Sequence, residues 1–166
     1  MPMLAITHYP DAILRRKSAP IHHISPAINA LVDDMIKTMY ASPKTIGLAA
    51  PQVGHSVQLI VIDVSAREKK HGLLVLINPA LVWGKDEKIL REGCLSLPDY
   101  TGNVTRYNHV LVRGLDRGGA PFQIETEGIE AICLQHEIDH INGMMFIDRV
   151  SSLTTDVFRR KRYGKV

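Results

Sequence analysis

Cysteine is scarce, with only Cys94 and Cys133 among 166 residues. Two thiols cannot build the disulfide framework that staples small secreted domains. Aromatic residues are few, at 5%. Long apolar runs are missing: the longest, Leu73-Leu74-Val75-Leu76-Ile77, falls far short of the ~20 residues a membrane helix needs. Residues 1–6 have neither a charged start nor an extended hydrophobic segment, so no secretory signal is read there and a cytoplasmic location is expected. No repeat, low-complexity tract or linker divides the chain. One domain over residues 1–166, with no membrane partner, is therefore the expectation.

The chain does have the material for a core: 45% of its residues are hydrophobic and 22% charged. That balance suits a compact globular protein large enough to bury a real interior. The net charge of +3 is mild but uneven, because Arg159, Arg160, Lys161, Arg162 and Lys165 crowd the last eight residues. Such a cluster reads either as a solvated helix end, where cations complement the helix dipole, or as a contact for a partner rich in nucleic acid.

Turn and periodicity signals outline the elements. "HYPDAILRRKS" suggests a short helix beginning near Pro10 or Asp11, and "SPAINALVDDMIKTMYAS" a longer one with Ser25 as N-cap and Pro26 in the first turn. "TIGLAAPQVG" is rich in small residues and turn formers and reads as a loop. "SVQLIVIDV" and "LLVLINPALVW" read as strands across the charged turn "SAREKKHG". Further strands are expected over residues 104–114 and in "DRGGAPFQIE", and "DYTGN" is assigned to a loop. A helix starts near Glu127 or Gly128 and stops at Asn142-Gly143. Ser151 or Ser152 is expected to cap a final helix that docks through Leu153, Val157 and Phe158. Without a regular βαβ alternation, the pattern predicts an α+β fold, mainly antiparallel strands around a central helix, with a helix at the C-terminus.

That central helix carries "LQHEIDHING", in which His136, Glu137 and His140 match the H-E-x-x-H pattern of zinc peptidases. At helical spacing His136 and His140 share one face and both can reach one ion, with Glu137 beside it. A peptidase of this kind expects a third ligand downstream, yet beyond Gly143 there is no histidine and no glutamate. The third ligand must come from upstream. Cys94, in "REGCLSLP", is the best candidate, because a thiolate binds zinc or iron strongly; His22, His23, His55, His71 and His109 are the alternatives. Two histidines and one thiolate leave a fourth position open, as in catalytic sites. Cys133, in "EAICLQHE", reads as a small core hydrophobe.

Taken together, "TIGLAAPQVG", "EGCLSLP" and "QHEIDH", in that order and at these separations, resemble the peptide deformylases. The resemblance extends to "HYPDAILRRKS", "LVDDMIKTMYA", "LIVIDV" and "VLINP", and so to essentially the whole chain. It implies hydrolytic removal of the formyl group from N-formylmethionine on newly made polypeptides. Cys94, His136 and His140 would hold one divalent metal, typically Fe2+ in the cell, with Zn2+ or Ni2+ able to replace it. The metal would supply hydroxide near neutral pH, and Glu137 would act as general base and then acid. Gln52 and the backbone N–H of Leu95 would stabilise the oxyanion.

The same resemblance suggests Glu92, Arg106 and Asp139 as supports for the ligands, and Ile46, Gly47, Ile129, Ile132 and Cys133 as the pocket for the methionine side chain. It also raises a ribosome contact through the basic C-terminal helix. One position departs from the family's pattern: Thr45 stands where a glycine usually begins the first motif. If that position required a left-handed backbone, threonine would strain it; if not, its side chain would narrow the groove.

Overall fold

The computed structural model describes residues 3–160. Helix α1 (Pro26–Ala41) starts as its sequence dictates: Ser25 Oγ accepts the Ile28 N–H at 3.2 Å, and Pro26 occupies the first turn. Leu31, Val32, Met35 and Met39 recur at helical spacing and are buried. The earlier short helix is a single 3-10 turn, Ala12–Arg15, capped by Asp11.

Six strands make one sheet: β1 (Gly47–Ala49), β2 (Leu59–Ile62), β3 (Leu74–Cys94), β4 (Leu97–Leu115), β5 (Pro121–Glu127) and β6 (Val157–Arg159). Strands β1 to β5 neighbour one another in chain order, β6 adds to β4, and every pairing is antiparallel. The unbroken "LIVI" of β2 follows from cover on both faces. Leu59 and Val61 pack with Val32, Met35 and Met39 of α1, whereas Ile60 and Ile62 pack with Leu134, Ile138 and Ile141 of the second helix. Each such fully buried aliphatic contributes about 1.5–3 kcal/mol.

Helix α2 (Ile129–Ile141) lies on the sheet and ends at Asn142, with Gly143 at φ 77°. It is buried almost all round, charged positions included. The α+β architecture with an antiparallel sheet is thus the observed one.

Three local expectations need correction. "TIGLAAPQVG" is not a loop throughout, since Gly47–Ala49 form β1 and Ala50–Val53 a 3-10 turn. Residues 84–94 and 97–103, "DYTGN" among them, are strand: the long β3–β4 hairpin pairs Glu92 with Gly102 and Gly93 with Thr101. The third concerns the C-terminal segment, which makes no helix among the described residues. Ser152 does cap, but it caps a turn: its Oγ accepts the N–H groups of Thr154 and Thr155, and Asp156 Oδ2 accepts the Ser152 N–H. Val157 and Phe158 then find an open edge on β4 at Gly102 and Thr101. That ladder outweighs the weak helical preference of a Ser/Thr-rich stretch. Leu153 is 70% exposed rather than docked. Lys161, Arg162 and Lys165 lie outside the described residues.

Candidate active site

The polar residues of α2 locate the site, because buried polar groups need partners. Gln135 satisfies itself on β4, accepting from Tyr107 N at 3.0 Å and donating to Tyr107 O at 2.7 Å. The fully buried Glu130 accepts from the backbone N–H of His71 at 3.1 Å and pairs with its Nδ1. Asp139 meets Arg106, and Arg149 completes it through Nη2 at 2.8 Å and Nε at 3.1 Å. Two buried atoms of the helix remain without a hydrogen-bond partner, Glu137 Oε2 and His140 Nδ1. Both belong to the H-E-x-x-H stretch.

Cys94 arrives from the end of β3 to face this helix. Its Sγ lies 3.3 Å from His140 Nε2, which in turn lies 3.2 Å from His136 Nε2. Nitrogen and thiolate ligands at about 2.0–2.1 and 2.3 Å from one tetrahedral ion stand roughly 3.3–3.6 Å apart. The donor set therefore fits a single transition-metal ion. Among the described residues no other group of three such side chains converges this way. The alternative His71 is taken by Glu130, and His109 stands near Glu125 and against Trp83.

The residues behind the candidate ligands are arranged as a chain. Glu92 Oε1 sits 2.7 Å from His136 Nδ1, which leaves Nε2 to face the cluster. Arg106 grips Glu92 with Nε at 2.8 Å and Nη2 at 2.9 Å, and reaches Asp139 with Nη1. All three are nearly fully buried, so the Arg106–Asp139 contact is no surface ion pair. Burial works to raise the Glu92 carboxyl, but hydrogen bonds from Arg106 and His136 outweigh it and hold it down at about 2. Burial works against protonated His136 too, yet Cys94 and Glu92 raise it well above the ordinary range. His140 is lowered by burial and by the neighbouring His136. Glu137 goes the other way: burial raises its carboxyl to about 7, with His136 opposing.

Gln52 is 2% exposed and oriented by its neighbours. Its Oε1 accepts the Ala49 N–H at 3.0 Å, which turns Nε2 toward Cys94 Sγ at 3.4 Å and Ser96 Oγ at 3.3 Å. Leu95 begins the turn directly after Cys94 and lines the same groove. Ile46, Gly47, Ile129, Ile132 and Cys133 line it as well, on the side of α2. At Gly47 any side chain would collide: a Cβ would stand 2.7 Å from Cys133 Sγ and 2.9 Å from Glu137 Oε1. Glycine there lets β1 lie directly against the helix. Thr45 is also on the groove, and the left-handed residue beside it is Lys44, at φ 59°. Threonine is therefore unstrained, and its side chain borders the groove instead.

The sequence reading missed Gln135, Ser96 and Arg149, and with them the cations Lys44, Arg67, Arg91 and Arg160 on the groove. Arg149 lies across a turn from Asp139, where no spacing rule could pair them. Arg91 and Arg160 depend on the unforeseen β3–β4–β6 edge.

Comparison with known proteins agrees with this geometry. A family profile described as polypeptide deformylase matches residues 3–156. The chain is 49% identical over 161 residues to a peptide deformylase of Syntrophobacter fumaroxidans, covering 97% of this chain and 94% of that one. It is similar to the crystal structure of a peptide deformylase from Legionella pneumophila, with TM-score 0.84 and 43% identity over 92% of this chain and 88% of that one. A peptide deformylase from Synechococcus elongatus, solved in complex with actinonin, gives TM-score 0.85 and 39% identity over 93% and 82% of the two chains. Sequence, fold and donor set converge: the chain belongs to the polypeptide deformylase family, metal-dependent hydrolases that remove the N-formyl group from new polypeptides.

Proposed function

We propose that the enzyme hydrolyses the formyl amide of N-formylmethionine with Glu137 as the proton carrier, at a divalent ion held by Cys94, His136 and His140. The observation that carries this reading is the buried, unpartnered Oε2 of Glu137 beside that donor set. A structural metal site would have no use for an unsatisfied carboxylate. When bound, the ion acidifies a water molecule and polarises the formyl carbonyl. Iron(II) is the ion expected in the cell; zinc or nickel can take its place, since one thiolate and two imidazoles suit all three.

The chain's own groups supply the rest. Burial brings the Glu137 carboxyl to about 7, so it exchanges a proton near neutral pH, taking one from water and returning it to the departing methionine nitrogen. Positive charge at the cluster works against burial and favours the carboxylate needed for the first transfer. Water adds across the C–N bond: its oxygen ends on formate and its proton on the free amine. Gln52 Nε2, already turned toward Cys94, and the Leu95 N–H donate to the oxygen that becomes negative. One such donor is worth about 3 kcal/mol of barrier. Glu92, held by Arg106 and Asp139, keeps the His136 ring oriented. The methionine side chain enters between Ile46, Gly47, Ile129, Ile132 and Cys133, with Thr45 narrowing the entrance.

Residues 1–166 act as one catalytic unit in the cytoplasm. The test is formate release from formyl-Met-Ala-Ser by protein purified with iron under anaerobic conditions. Cleavage of internal peptide bonds without formate would sink the reading. Ribosome contact belongs to the same proposal, through the basic C-terminal cluster, and rests on exposed Arg159, the last residue of β6, and exposed Arg160 just past it. Co-sedimentation with ribosomes should weaken with salt and with Arg159, Arg160 and Arg162→Ala; binding indifferent to both would refute it.

A further inference from the structure

We propose that Arg160, carried to the groove by β6, makes the enzyme favour formyl-peptides with an acidic side chain in the first two residues after methionine. This rests on the reading of the groove as the formyl-peptide site.

β6 pairs Arg159 with Tyr100, Phe158 with Thr101 and Val157 with Gly102. Just past the strand, the Arg160 N–H donates to Asp99 O at 2.7 Å, which turns the chain toward Gly93, the partner of Thr101 on β3. A Cβ added at Gly93 would collide with Arg160 Nη2 and stand 3.4 Å from its Cζ. The guanidinium thus fills the space that any side chain at 93 would need, one residue from Cys94. Absence of a side chain at 93 is what admits the cation to the groove.

The same strand fixes a second cation. The Arg91 guanidinium carbon lies 3.8 Å from the centre of the Phe158 ring, and Arg91 Nε donates to Asn103 Oδ1 at 3.0 Å. Across the groove stand Lys44 and Arg67, tied together by Arg67 Nη2 donating to Lys44 O at 3.4 Å. The acidic residues of the lining, Glu92 and Glu137, are both buried, and Glu92 is neutralised by Arg106. The rim is therefore positive, and a guanidinium pairs with a carboxylate through two parallel hydrogen bonds. The methionine pocket lies on the α2 side, so the following residues leave across Gly93. At about 3.3–3.6 Å per extended residue, one or two residues bring a side chain to Arg160.

The experiment compares kcat/KM of the iron-loaded enzyme on C-terminally amidated peptides: formyl-Met-Asp-Ser against formyl-Met-Asn-Ser, and formyl-Met-Ala-Asp against formyl-Met-Ala-Asn. At low salt, an aspartate-to-asparagine ratio of roughly two to five is expected at one of the two positions, the size of an exposed ion pair. The preference should sit in KM and shrink as salt screens the charges. It should fall to about one in Arg160→Gln, persist in Arg160→Lys, and persist in Arg113→Gln, which removes an exposed cation of β4 away from the groove. A ratio of one at both positions in the unaltered enzyme would overturn the proposal, as would a ratio that Arg160→Gln leaves untouched. Equal loss in Arg160→Lys and Arg160→Gln would also overturn it, because the strand rather than the charge would then set the preference. Absence of formate from all four peptides would instead overturn the deformylase reading of the groove.

Discussion

Glu137 and Asp139 sit two residues apart on α2, at 3% and 6% exposure, and differ in their surroundings. Asp139 is held by two guanidiniums, Arg106 and Arg149. Glu137 has a buried oxygen with no partner, and burial raises its carboxyl to about 7. The two sides of one helix thus bury carboxylates equally and treat them oppositely. On the back, burial is matched by charge and the cluster holds the helix to β4. On the groove side, burial is not matched, and the carboxyl is raised to about 7.

The sharpest way to break that contrast is Glu137→Gln. Turnover should drop by about two to four decades. Metal content by elemental analysis should hold and the thermal midpoint should change little, because Oε2 makes no hydrogen bond that would be lost and His136, 4.0 Å from Oε1, keeps Glu92. Coincident loss of metal would show that Glu137 serves the site structurally. Next in size is Arg106→Ala, which leaves Glu92 and Asp139 buried and without that guanidinium. Denaturant unfolding should register a loss of about 3–5 kcal/mol, and a loss below ~1 kcal/mol would show that the back cluster does not hold the helix.

Gly47→Ala probes the groove side through packing. The new methyl group would overlap Glu137 and Cys133, so stability should fall by about 1–3 kcal/mol and activity more steeply than in a variant of equal stability altered far from the groove. The smallest effect belongs to Arg149→Ala. Its side chain is 43% exposed and Asp139 keeps Arg106, so a change below about 1 kcal/mol is expected. A larger one would mean that Arg106 alone cannot neutralise the two carboxylates.

Much of this molecule was legible in its sequence where the signal was local. Ser25 and Pro26 start α1, and Asn142-Gly143 ends α2, because caps and turn residues act within a few positions. The convergence of the candidate donor set was legible too: helical spacing pairs His136 with His140, and Cys94 was the preferred third candidate among several. What escaped depended on distant partners. Residues 84–94 are charged and glycine-flanked, and become strand only because residues 101–111 offer them a ladder. The Ser/Thr-rich segment after Val150 looked like a capped helix, until the free edge of β4 took Val157 and Phe158. The groove cations followed from that edge and were hidden with it.

The β3–β4 ladder also has a consequence for how this protein can change. Beyond the irregularities at Ile77/Ala80 and Leu81/Trp83, the pairing runs in constant register from Trp83–Leu111 to Gly93–Thr101, and shifts once more between Gly93 and Cys94. Side chains alternate faces along it, so a single residue gained or lost between Gly84 and Gly93 would turn Cys94 away from α2. Such an indel would spare every hydrophobic residue of the core and still dismantle the donor set. The length of this arm therefore bears on where Cys94 stands as much as the identity of the residue at its end does.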